Sequence, residues 1–393
     1  MVYDVVVVGG GPCGATAAND LARAGYHVAL LDREGRIKPC GGAIPPRLMQ
    51  DFDIGSEELI AKVQTARMIS PTGRRVDIPI ENGFVGMVDR KDFDPYLRRR
   101  ATATGADYRV GTFLAISRDS DQKHVVYRDK ASGQETRIPF RLVIGADGAR
   151  SRVGKTEIAG WDKIPYVLAY HEIISAPLKS EFYDPERCDV VYDGAISPDF
   201  YGWVFPHGKS ASVGMGTGNS SVDLKKATAA LREACGLSEC ETLRKEGAPI
   251  PLYPLPRWDN GSDVLVAGDA AGVVAPSSGE GIYYAMFAGR VSAQACVATL
   301  KSGRVRELKG ARKAFMREHK TVFRVLQSMQ NAYYRSDQRR ERFVSLCHDT
   351  DVQRLTFEAY MNKKLVKSGL MPHIKIAAKN FAHLTGLVRP EYT

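Results

Sequence analysis

The sequence predicts an α/β fold with an α+β insertion: a parallel sheet, an antiparallel sheet inserted into it, and a helical C-terminal region. Three observations support this prediction. Val5–Val8 is an unbroken apolar run, typical of a strand buried on both faces of a parallel sheet. Later apolar runs near residues 142 and 265 end in glycine and aspartate and would extend the same sheet. Between these two runs, residues 161–218 carry antiparallel strand signals, so we expect the first sheet to be discontinuous in sequence.

The first third of the chain alternates strands with helices. Residues 1–50 predict strand, helix and strand, followed by a Gly/Pro loop from Lys38 to Pro46. Residues 65–90 alternate polar and apolar side chains around Pro71–Gly73, which predicts a hairpin. A helix is expected from Asp89 to about Thr104, and strands at 107–118, 123–129 and 136–146.

The rest of the chain moves from strands to helices. After the 161–218 strands, the pattern predicts a helix at 223–235 and a Pro-rich connection at 249–256. A strand at 264–267 and a glycine-punctuated helix at 279–300 follow, and the chain beyond 305 is expected to be helical. The helical end is expected to break near Gly369 and Pro372. The predicted domains are therefore 1–160 with 256–300, an inserted sheet domain at 161–255, and a helical region at 301–393.

Composition is ordinary for a globular protein, but charge is uneven. The 393 residues are 44% hydrophobic and 25% charged, with a net charge of +10. Residues 301–393 carry 20 Lys and Arg against 8 Asp and Glu, whereas the other 300 residues carry 35 against 37. No nucleic-acid motif accompanies this basic tail, so an anionic membrane surface or a pyrophosphate-bearing substrate is the better-fitting partner. The alternative interpretation is a solvated helical face that binds no partner.

The cysteines indicate a reducing compartment, and the hydropathy pattern predicts no membrane span. Seven cysteines without metal-ligand spacing predict free thiols and no metal site. The first strand begins almost at Met1 and no apolar run reaches 18 residues, so neither a signal peptide nor a membrane span is expected. The predicted location is cytoplasmic, with peripheral contact to the membrane as an open alternative.

The glycine-rich turn after the first strand predicts a Rossmann-like dinucleotide site. Gly9, Gly11 and Gly14 form GxGxxG, and Asp32 ends the next apolar run 18 residues beyond Gly14. Gly9 permits the turn, Gly11 lets the backbone approach a pyrophosphate, and Gly14 lets the helix pack on the strand. The helix N-terminus offers N–H groups to phosphates, and Asp32 can accept hydrogen bonds from a ribose. Which dinucleotide binds stays open at this point.

A second motif lies at the end of the later strand. Asp269 follows Gly268 at the carboxyl edge of the predicted sheet, where ligands bind, and can hold a sugar-like hydroxyl. Gly279 and Gly281 then open a helix whose free N–H groups can face an anion or a polarised carbonyl. The alternative is an Asp N-cap with glycines that serve packing only.

These two motifs together resemble the FAD-dependent reductases and hydroxylases related to aromatic hydroxylases. Gly145–Ser151 resembles the mid-chain Asp-Gly motif of that superfamily. Within it, Pro39–Pro45 and Tyr201–Pro206 are similar to the geranylgeranyl reductases of chlorophyll and bacteriochlorophyll biosynthesis, and the chain length matches. The resemblance implies an aromatic-hydroxylase-like architecture, FAD as cofactor and NADPH as reductant. The implied reaction reduces three of the four double bonds of a geranylgeranyl chain, either on (bacterio)chlorophyll or as the diphosphate, to give phytyl.

The resemblance also implies site residues. It places Asp32 on the adenosine ribose, Arg90 at the cofactor, and the Cys40 loop where the backbone meets the flavin. Cys13 stands where alanine is common in the family and is small enough to fit. The implied cofactor-binding residues are Gly9, Gly11, Cys13, Gly14, Asp32, Cys40, Gly41, Ala43, Arg90, Leu114, Asp269, Gly281 and Ile282. No second GxGxxG marks an NADPH site, and Gly214-x-Gly216-x-Gly218 is interpreted as a strand end.

The implied chemistry needs a hydride donor, a proton and a dry pocket, because an isolated double bond is a poor hydride acceptor. Tyr201, Trp203 and Phe205 would share one face of a strand and could line a prenyl tunnel, or could simply be core residues. The candidate catalytic residues are Tyr201, Trp203 and Cys40, and His207 could share in a proton relay with Tyr201. The alternative interpretation for Cys40 is that it is a tightly packed loop residue without a catalytic role.

Other functions remain open on the same fold. They are an archaeal-type reductase of geranylgeranyl ether lipids, a flavin monooxygenase or halogenase, and a non-redox prenyl cyclase. The halogenase motif Trp-x-Trp-x-Ile-Pro is not matched at Tyr201 and Phe205. In the tail, Leu355–Val388 mixes apolar residues with lysines and predicts an amphipathic helix pair that binds a membrane or packs on the cofactor domain.

Overall fold

The computed structural model describes residues 2–80, 83–118, 122–361 and 363. Its strands are β1 (Tyr3–Val8), β2 (Val28–Asp32), β3 (Ala43–Ile44), β4 (Ala61–Val63), β5 (Thr65–Ile69), β6 (Arg75–Pro79), β7 (Val85–Met87), β8 (Asp107–Ser117), β9 (His124–Asp129), β10 (Glu135–Gly145), β11 (Tyr166–Ser175), β12 (Arg187–Val191), β13 (Gly202–His207), β14 (Ser210–Thr217), β15 (Thr242–Pro251) and β16 (Val264–Val266). Its helices are α1 (Pro12–Arg23), α2 (Pro46–Phe52), α3 (Arg90–Ala103), α4 (Arg152–Glu157), α5 (Leu224–Ala234), α6 (Ile282–Ser302), α7 (Gly310–Tyr333), α8 (Asp337–Leu346) and α9 (Thr350–Met361).

The described chain divides into two compact units. The first comprises Met1–Ile37, Lys91–Tyr166 and Pro249–Lys320, and the second comprises Lys38–Arg90, Val167–Ala248 and the described residues from Thr321 onward. The boundaries expected from sequence put residues 38–90 with the nucleotide-binding sheet and kept the C-terminal helices separate. In the structure β5 pairs in parallel with β12, Thr65 opposite Arg187, so this segment completes the inserted sheet.

The first unit is built on a parallel sheet with strand order β8-β2-β1-β10-β16. β1 lies in the middle, and Val5, Val6 and Val7 are fully buried. Burial from both faces explains why this strand is a continuous apolar run. The structure therefore confirms the predicted discontinuous sheet, because β10 and β16 bring in the strands expected near residues 142 and 265.

The long strands β8 and β10 belong to two ladders. The start of β8 pairs in parallel with β2, Asp107 opposite Ala29, whereas its end pairs with β9 in antiparallel fashion. β10 likewise starts against β9 and ends against β1. The register of β8 against β9 shifts at Leu114, which lies between Phe113 and Ala115. A bulge of this kind bends a strand and redirects a side chain.

The second unit is built on a seven-stranded sheet with strand order β15-β11-β14-β13-β12-β5-β6. The hairpin predicted around Pro71–Gly73 is confirmed by the antiparallel pairing of β5 with β6. α5 covers the sheet, and its Leu231 is buried together with Val213 and Met215 of β14. A smaller sheet, β3-β7-β4, lies in the same unit.

Most predicted elements are confirmed within a few residues. α3 and α6 match the helices expected at 89–104 and 279–300, and β14 continues to Thr217 as a plain strand. β15 continues to Pro251, so the Pro-rich connection is shorter than expected. Of the tail predicted at 355–388, α9 covers the backbone to Met361, and residues 362 and 364–393 lie outside the described residues. Among the helices described, none combines the length and apolar composition that a bilayer crossing requires.

Candidate active site

The glycine-rich turn of the first unit is sterically closed to any side chain. A Cβ on Gly9, whose φ is +105°, would lie 2.3 Å from the carbonyl oxygen of Ala146, at the end of β10. A Cβ on Gly14 would lie 1.8 Å from the oxygen of Gly9. Real Cβ atoms do not approach this closely, so both positions require glycine. β1, α1 and the end of β10 can meet only through these bare backbone positions.

α1 begins with an N-terminus that suits an anion. Gly11 is its N-cap and has no side chain with which to cap the helix, and Pro12 occupies the first helical position. The free N–H groups of the first turn and the helix dipole both favour negative charge there. This uncapped N-terminus lies where the sequence motif predicts phosphate binding, which stays a prediction.

Asp32 lies beside this turn at the end of β2. Its Oδ2 accepts from the Gly10 N–H at 2.7 Å, and its Oδ1 accepts from the Glu34 N–H at 2.9 Å. A carboxylate can accept about four hydrogen bonds, so capacity for ribose hydroxyls remains. Arg98 of α3 contributes a partner that sequence analysis missed, since it donates to the Gly10 oxygen at 3.3 Å. No motif in α3 marks this arginine.

The Gly-Asp motif after β16 packs directly on α1. A Cβ on Gly268 would lie 2.8 Å from the Cβ of Cys13, and one on Gly289 would lie 2.2 Å from the Cys13 oxygen. Burial, and then the charge of Asp269, raise the pKa of the Cys13 thiol, so this thiol stays protonated. The structure thus brings Cys13 and Asp269 together. Gly289, seven residues inside α6, was missed because an isolated helical glycine has no distinctive signature.

A second helix N-terminus completes the polar cluster of the first unit. Gly281 is the N-cap of α6 and provides no side-chain cap, and the buried Ile282 is the first helical residue. A Cβ on Gly281 would lie 3.9 Å from Oδ1 of Asp269. The first unit therefore contains two uncapped helix N-termini, those of α1 and α6, and the carboxylates of Asp32 and Asp269. This donor and acceptor set fits a ligand that carries both phosphates and hydroxyls, such as a dinucleotide.

Two further predicted positions in the first unit have different surroundings. Half-buried Leu114 lies at the β8 bulge, on the strand next to β2 and Asp32. Asp147 of the mid-chain motif accepts from the backbone N–H groups of Arg152 and Val153 at 2.7 and 3.2 Å. Its carboxylate is therefore used to start α4, which is the turn-and-cap role that a strand end of this kind commonly has.

In the second unit, the Cys40 loop packs on β13. A Cβ on Gly41 would lie 2.6 Å from the ring of Phe205, and one on Gly42 would lie 2.2 Å from the oxygen of Val88. The loop is held by the Val88 N–H, which donates to the Gly42 oxygen at 2.9 Å. Ala43 follows in β3, opposite Met87. Buried Arg90 starts α3 two residues after Val88, the residue that holds the loop.

His207 supports this loop as a neutral imidazole. Its Nε2 lies 2.9 Å from the Gly41 oxygen, and because a carbonyl only accepts, Nε2 carries the hydrogen. Burial lowers the pKa of His207, which keeps the ring uncharged near pH 7. Its Nδ1 lone pair is buried and has no hydrogen-bond partner among the described residues. A neutral His207 with a lowered pKa is therefore a poor proton donor at neutral pH.

Tyr201, Trp203 and Phe205 share one face of the sheet, as predicted. The ring centroids of Tyr201 and Trp203 are 6.2 Å apart, and those of Trp203 and Phe205 are 6.4 Å apart. Tyr201 is 8% and Trp203 6% exposed, whereas Phe205 is half-buried. We call these three residues the aromatic stripe. Its apolar rings would exclude water from a bound hydrocarbon.

The stripe continues through residues that sequence analysis did not single out. Tyr192 lies 6.0 Å from Tyr201, 5.2 Å from Tyr334 and 5.1 Å from Phe343, measured between ring centroids. Buried Arg340 of α8 donates to the backbone oxygen of Tyr334, which lies just before this helix, and so holds the start of α8 in place. Tyr334 and Phe343 are at least 129 residues from the stripe in sequence, and no spacing rule links them.

Comparisons with known proteins agree with this architecture. A family model described as an FAD binding domain matches residues 2–162. Geranylgeranyl diphosphate reductase of Rhodobacter capsulatus is 64% identical over 393 residues, covering all of both chains. Digeranylgeranylglycerophospholipid reductase of Methanocaldococcus jannaschii is 30% identical over 318 residues, covering 76% of this chain and 78% of the relative.

Among solved structures, a geranylgeranyl bacteriochlorophyll reductase-like protein from Thermoplasma acidophilum superposes with a TM-score of 0.80 and 21% identity, covering 98% of each chain. At this identity the likeness establishes the fold. It confirms the predicted architecture of a nucleotide-binding sheet with an inserted antiparallel sheet and C-terminal helices.

Proposed function

The chain belongs to the geranylgeranyl diphosphate reductase family, and we propose that it uses NADPH, through FAD, to reduce three isolated double bonds of a geranylgeranyl chain to give phytyl. It is an FAD-dependent oxidoreductase that acts on carbon–carbon double bonds of a geranylgeranyl group. The observation that carries the proposal is the 64% identity across the whole chain. A 30% match over 76% of the chain makes the archaeal lipid reductase the second candidate.

The polar cluster of the first unit supports FAD binding. The N-termini of α1 and α6 would hold the phosphates and the flavin carbonyl region, and Asp32 and Asp269 would accept from ribose and ribityl hydroxyls. When bound, FAD supplies the hydride that an unactivated double bond requires. Gly14 lets α1 pack closely on the glycine-rich turn, because a Cβ there would lie 1.8 Å from the Gly9 oxygen.

The second unit supports binding of a hydrocarbon chain. The aromatic stripe offers apolar rings, and its burial excludes water that would quench a cation-like carbon. The proton must come from a group that is protonated at neutral pH, which disfavours neutral His207. Tyr201 and Cys40 carry exchangeable protons and stay our candidates, while Trp203 would shape the wall. The roles of all these residues are proposals.

One anaerobic experiment tests the reaction class. Reduced, FAD-loaded enzyme is mixed with geranylgeranyl diphosphate or with the pigment ester, and flavin absorbance and product mass are followed. We expect substrate to reoxidise the flavin and products to gain hydrogen in pairs, with NADPH restoring the reduced state. The substrate that reacts faster identifies the physiological form. Flavin that stays reduced while product forms would indicate a cyclase, and a requirement for oxygen would indicate a monooxygenase.

We also propose that the basic tail contacts anionic membranes, where a prenyl substrate would partition. Full-length protein is expected to pellet with anionic but not with zwitterionic liposomes, and salt should weaken the binding. The matched variant lacks residues 364–393 and keeps every described helix. Equal pelleting of this variant and the full-length chain would contradict the proposal.

A further inference from the structure

A buried chain of hydrogen bonds lies beside the aromatic stripe, on the same face of the sheet. Nε1 of Trp203 donates to Oγ of Ser212 at 3.1 Å, and this Oγ lies 2.8 Å from Nδ1 of His171. Nε2 of the same histidine lies 2.7 Å from Oε2 of Glu246. Ser212 is 0% and His171 1% exposed, so water does not compete for these bonds. The indole of the stripe is thus connected to a carboxylate on the edge strand β15.

The chemistry of the two ends fixes the direction of the two outer hydrogen bonds. An indole N–H can only donate, and an ionised carboxylate can only accept. Arg244 forms ion pairs with Glu246 and with Asp89. With the His171 hydrogen on Nε2, Ser212 donates to Nδ1 of His171, and Nε2–H of His171 donates to Glu246. In this arrangement every linking atom from the indole nitrogen to Oε2 of Glu246 has a partner.

Strand register places the two rings against each other. Gly214 of β14 lies opposite His171 of β11 and opposite Trp203 of β13. A Cβ at Gly214 would lie 2.4 Å from the Cβ of His171 and 2.6 Å from Cζ2 of Trp203. Because Gly214 has no side chain, the ring centroids of His171 and Trp203 can lie 6.3 Å apart. The indole is therefore held by packing along one edge and by a directed hydrogen bond at its nitrogen.

We propose that Glu246, His171 and Ser212 form a positioning network that fixes the orientation of Trp203 and thereby controls how far reduction of the prenyl chain proceeds. This inference rests on the proposed function, in which the stripe contacts that chain. Successive double bonds must each be brought to one reacting position, so the wall that guides the chain has to keep its shape between rounds. Small displacements of a guiding group reduce rates steeply. The three residues act through Trp203 and do not touch the substrate.

Ser212→Ala is the direct test, because it removes the only hydroxyl in the path while adding no volume. The control is Ser292→Ala, which truncates an equally buried serine in α6 whose Oγ has no hydrogen-bond partner among the described residues. We expect Ser212→Ala to bind FAD normally but to release partly reduced products, with the fully reduced fraction falling about threefold or more. Ser292→Ala should keep the wild-type product distribution.

A second readout does not depend on activity. The chain has three tryptophans, so the labelled indole N–H groups give three NMR signals, assigned to Trp203 with Trp203→Phe. Ser212→Ala should shift the Trp203 signal and leave the other two in place. Glu246→Gln keeps an acceptor for His171 and should change products in the same direction but less.

These readouts separate two kinds of failure. If Ser212→Ala shifts the indole signal yet makes wild-type products, the inference is overturned while the proposed function stands. An unmoved indole signal overturns it as well. If the wild type itself fails to reduce the prenyl chain, the proposed function fails, and the indole signals still report whether the network orients Trp203.

Discussion

Gly9→Ala is expected to weaken FAD binding at least about a hundredfold, equivalent to about 3 kcal/mol of binding free energy. The φ of +105° disfavours any L side chain, and the new Cβ would lie 2.3 Å from the Ala146 oxygen. That oxygen belongs to the backbone at the end of β10, so relief requires β1 and β10 to separate at the ligand-binding edge. Titration of the apoprotein with FAD measures the loss.

Gly105→Ala is the matched control for this experiment. Gly105 lies in the same unit and has a φ of +106°, but nothing lies within 4 Å of its Cβ position. It therefore carries the backbone cost without the collision. We expect it to bind FAD like the wild type at slightly lower stability. Equal FAD affinity of Gly9→Ala and Gly105→Ala would show that close approach at the turn does not matter.

Arg232→Met is expected to lower the free energy of unfolding of the second unit by about 3–5 kcal/mol. The buried guanidinium donates to Oε2 of Glu172 at 2.6 Å and to Oγ1 of Thr242 at 2.7 Å. It also donates to the backbone oxygens of Leu237, Ser238 and Cys240, in the segment that follows α5. Methionine fills the stem but leaves a buried carboxylate and several carbonyls without their donor. Urea denaturation followed by circular dichroism measures the change.

The pH dependence of this loss has a defined sign. Burial raises the pKa of Glu172, but hydrogen bonds from Arg232 and Tyr170 and the charge of Lys245 outweigh it, so the pKa is lowered overall. A lowered folded-state pKa contributes stability above the unfolded-state pKa, about 4.3, and loses it as pH falls through the folded value. The difference between wild type and Arg232→Met should therefore shrink below about pH 4. Lys226→Met, at an exposed position of the same helix, should change stability little at any pH. A deficit that is the same at pH 7 and pH 3 would contradict the ion-pair explanation.

Features determined by short stretches of chain could be predicted from the sequence. The Gly9–Gly14 turn, Asp32 at the end of β2 and the Asp269–Gly281 helix start each depend on a strand, a glycine and a helix that are neighbours in the chain. The alternation at 201, 203 and 205 likewise follows from the twofold period of a strand. Arg98, which donates to the Gly10 oxygen, could not be predicted because α3 reaches the turn only through folding.

The sequence by itself therefore determined the fold class, the family and the glycine-rich turn. The conformational freedom of glycine and the spacing of hydrophobic residues are local properties of the chain. Only the tertiary structure decided which distant segments share a sheet. It placed β5 beside β12, set His171 and Trp203 against Gly214, and brought Tyr334 and Phe343 to the aromatic stripe. Strand register and side-chain packing are settled by the total burial and hydrogen bonding of the folded chain, and no single segment carries that information.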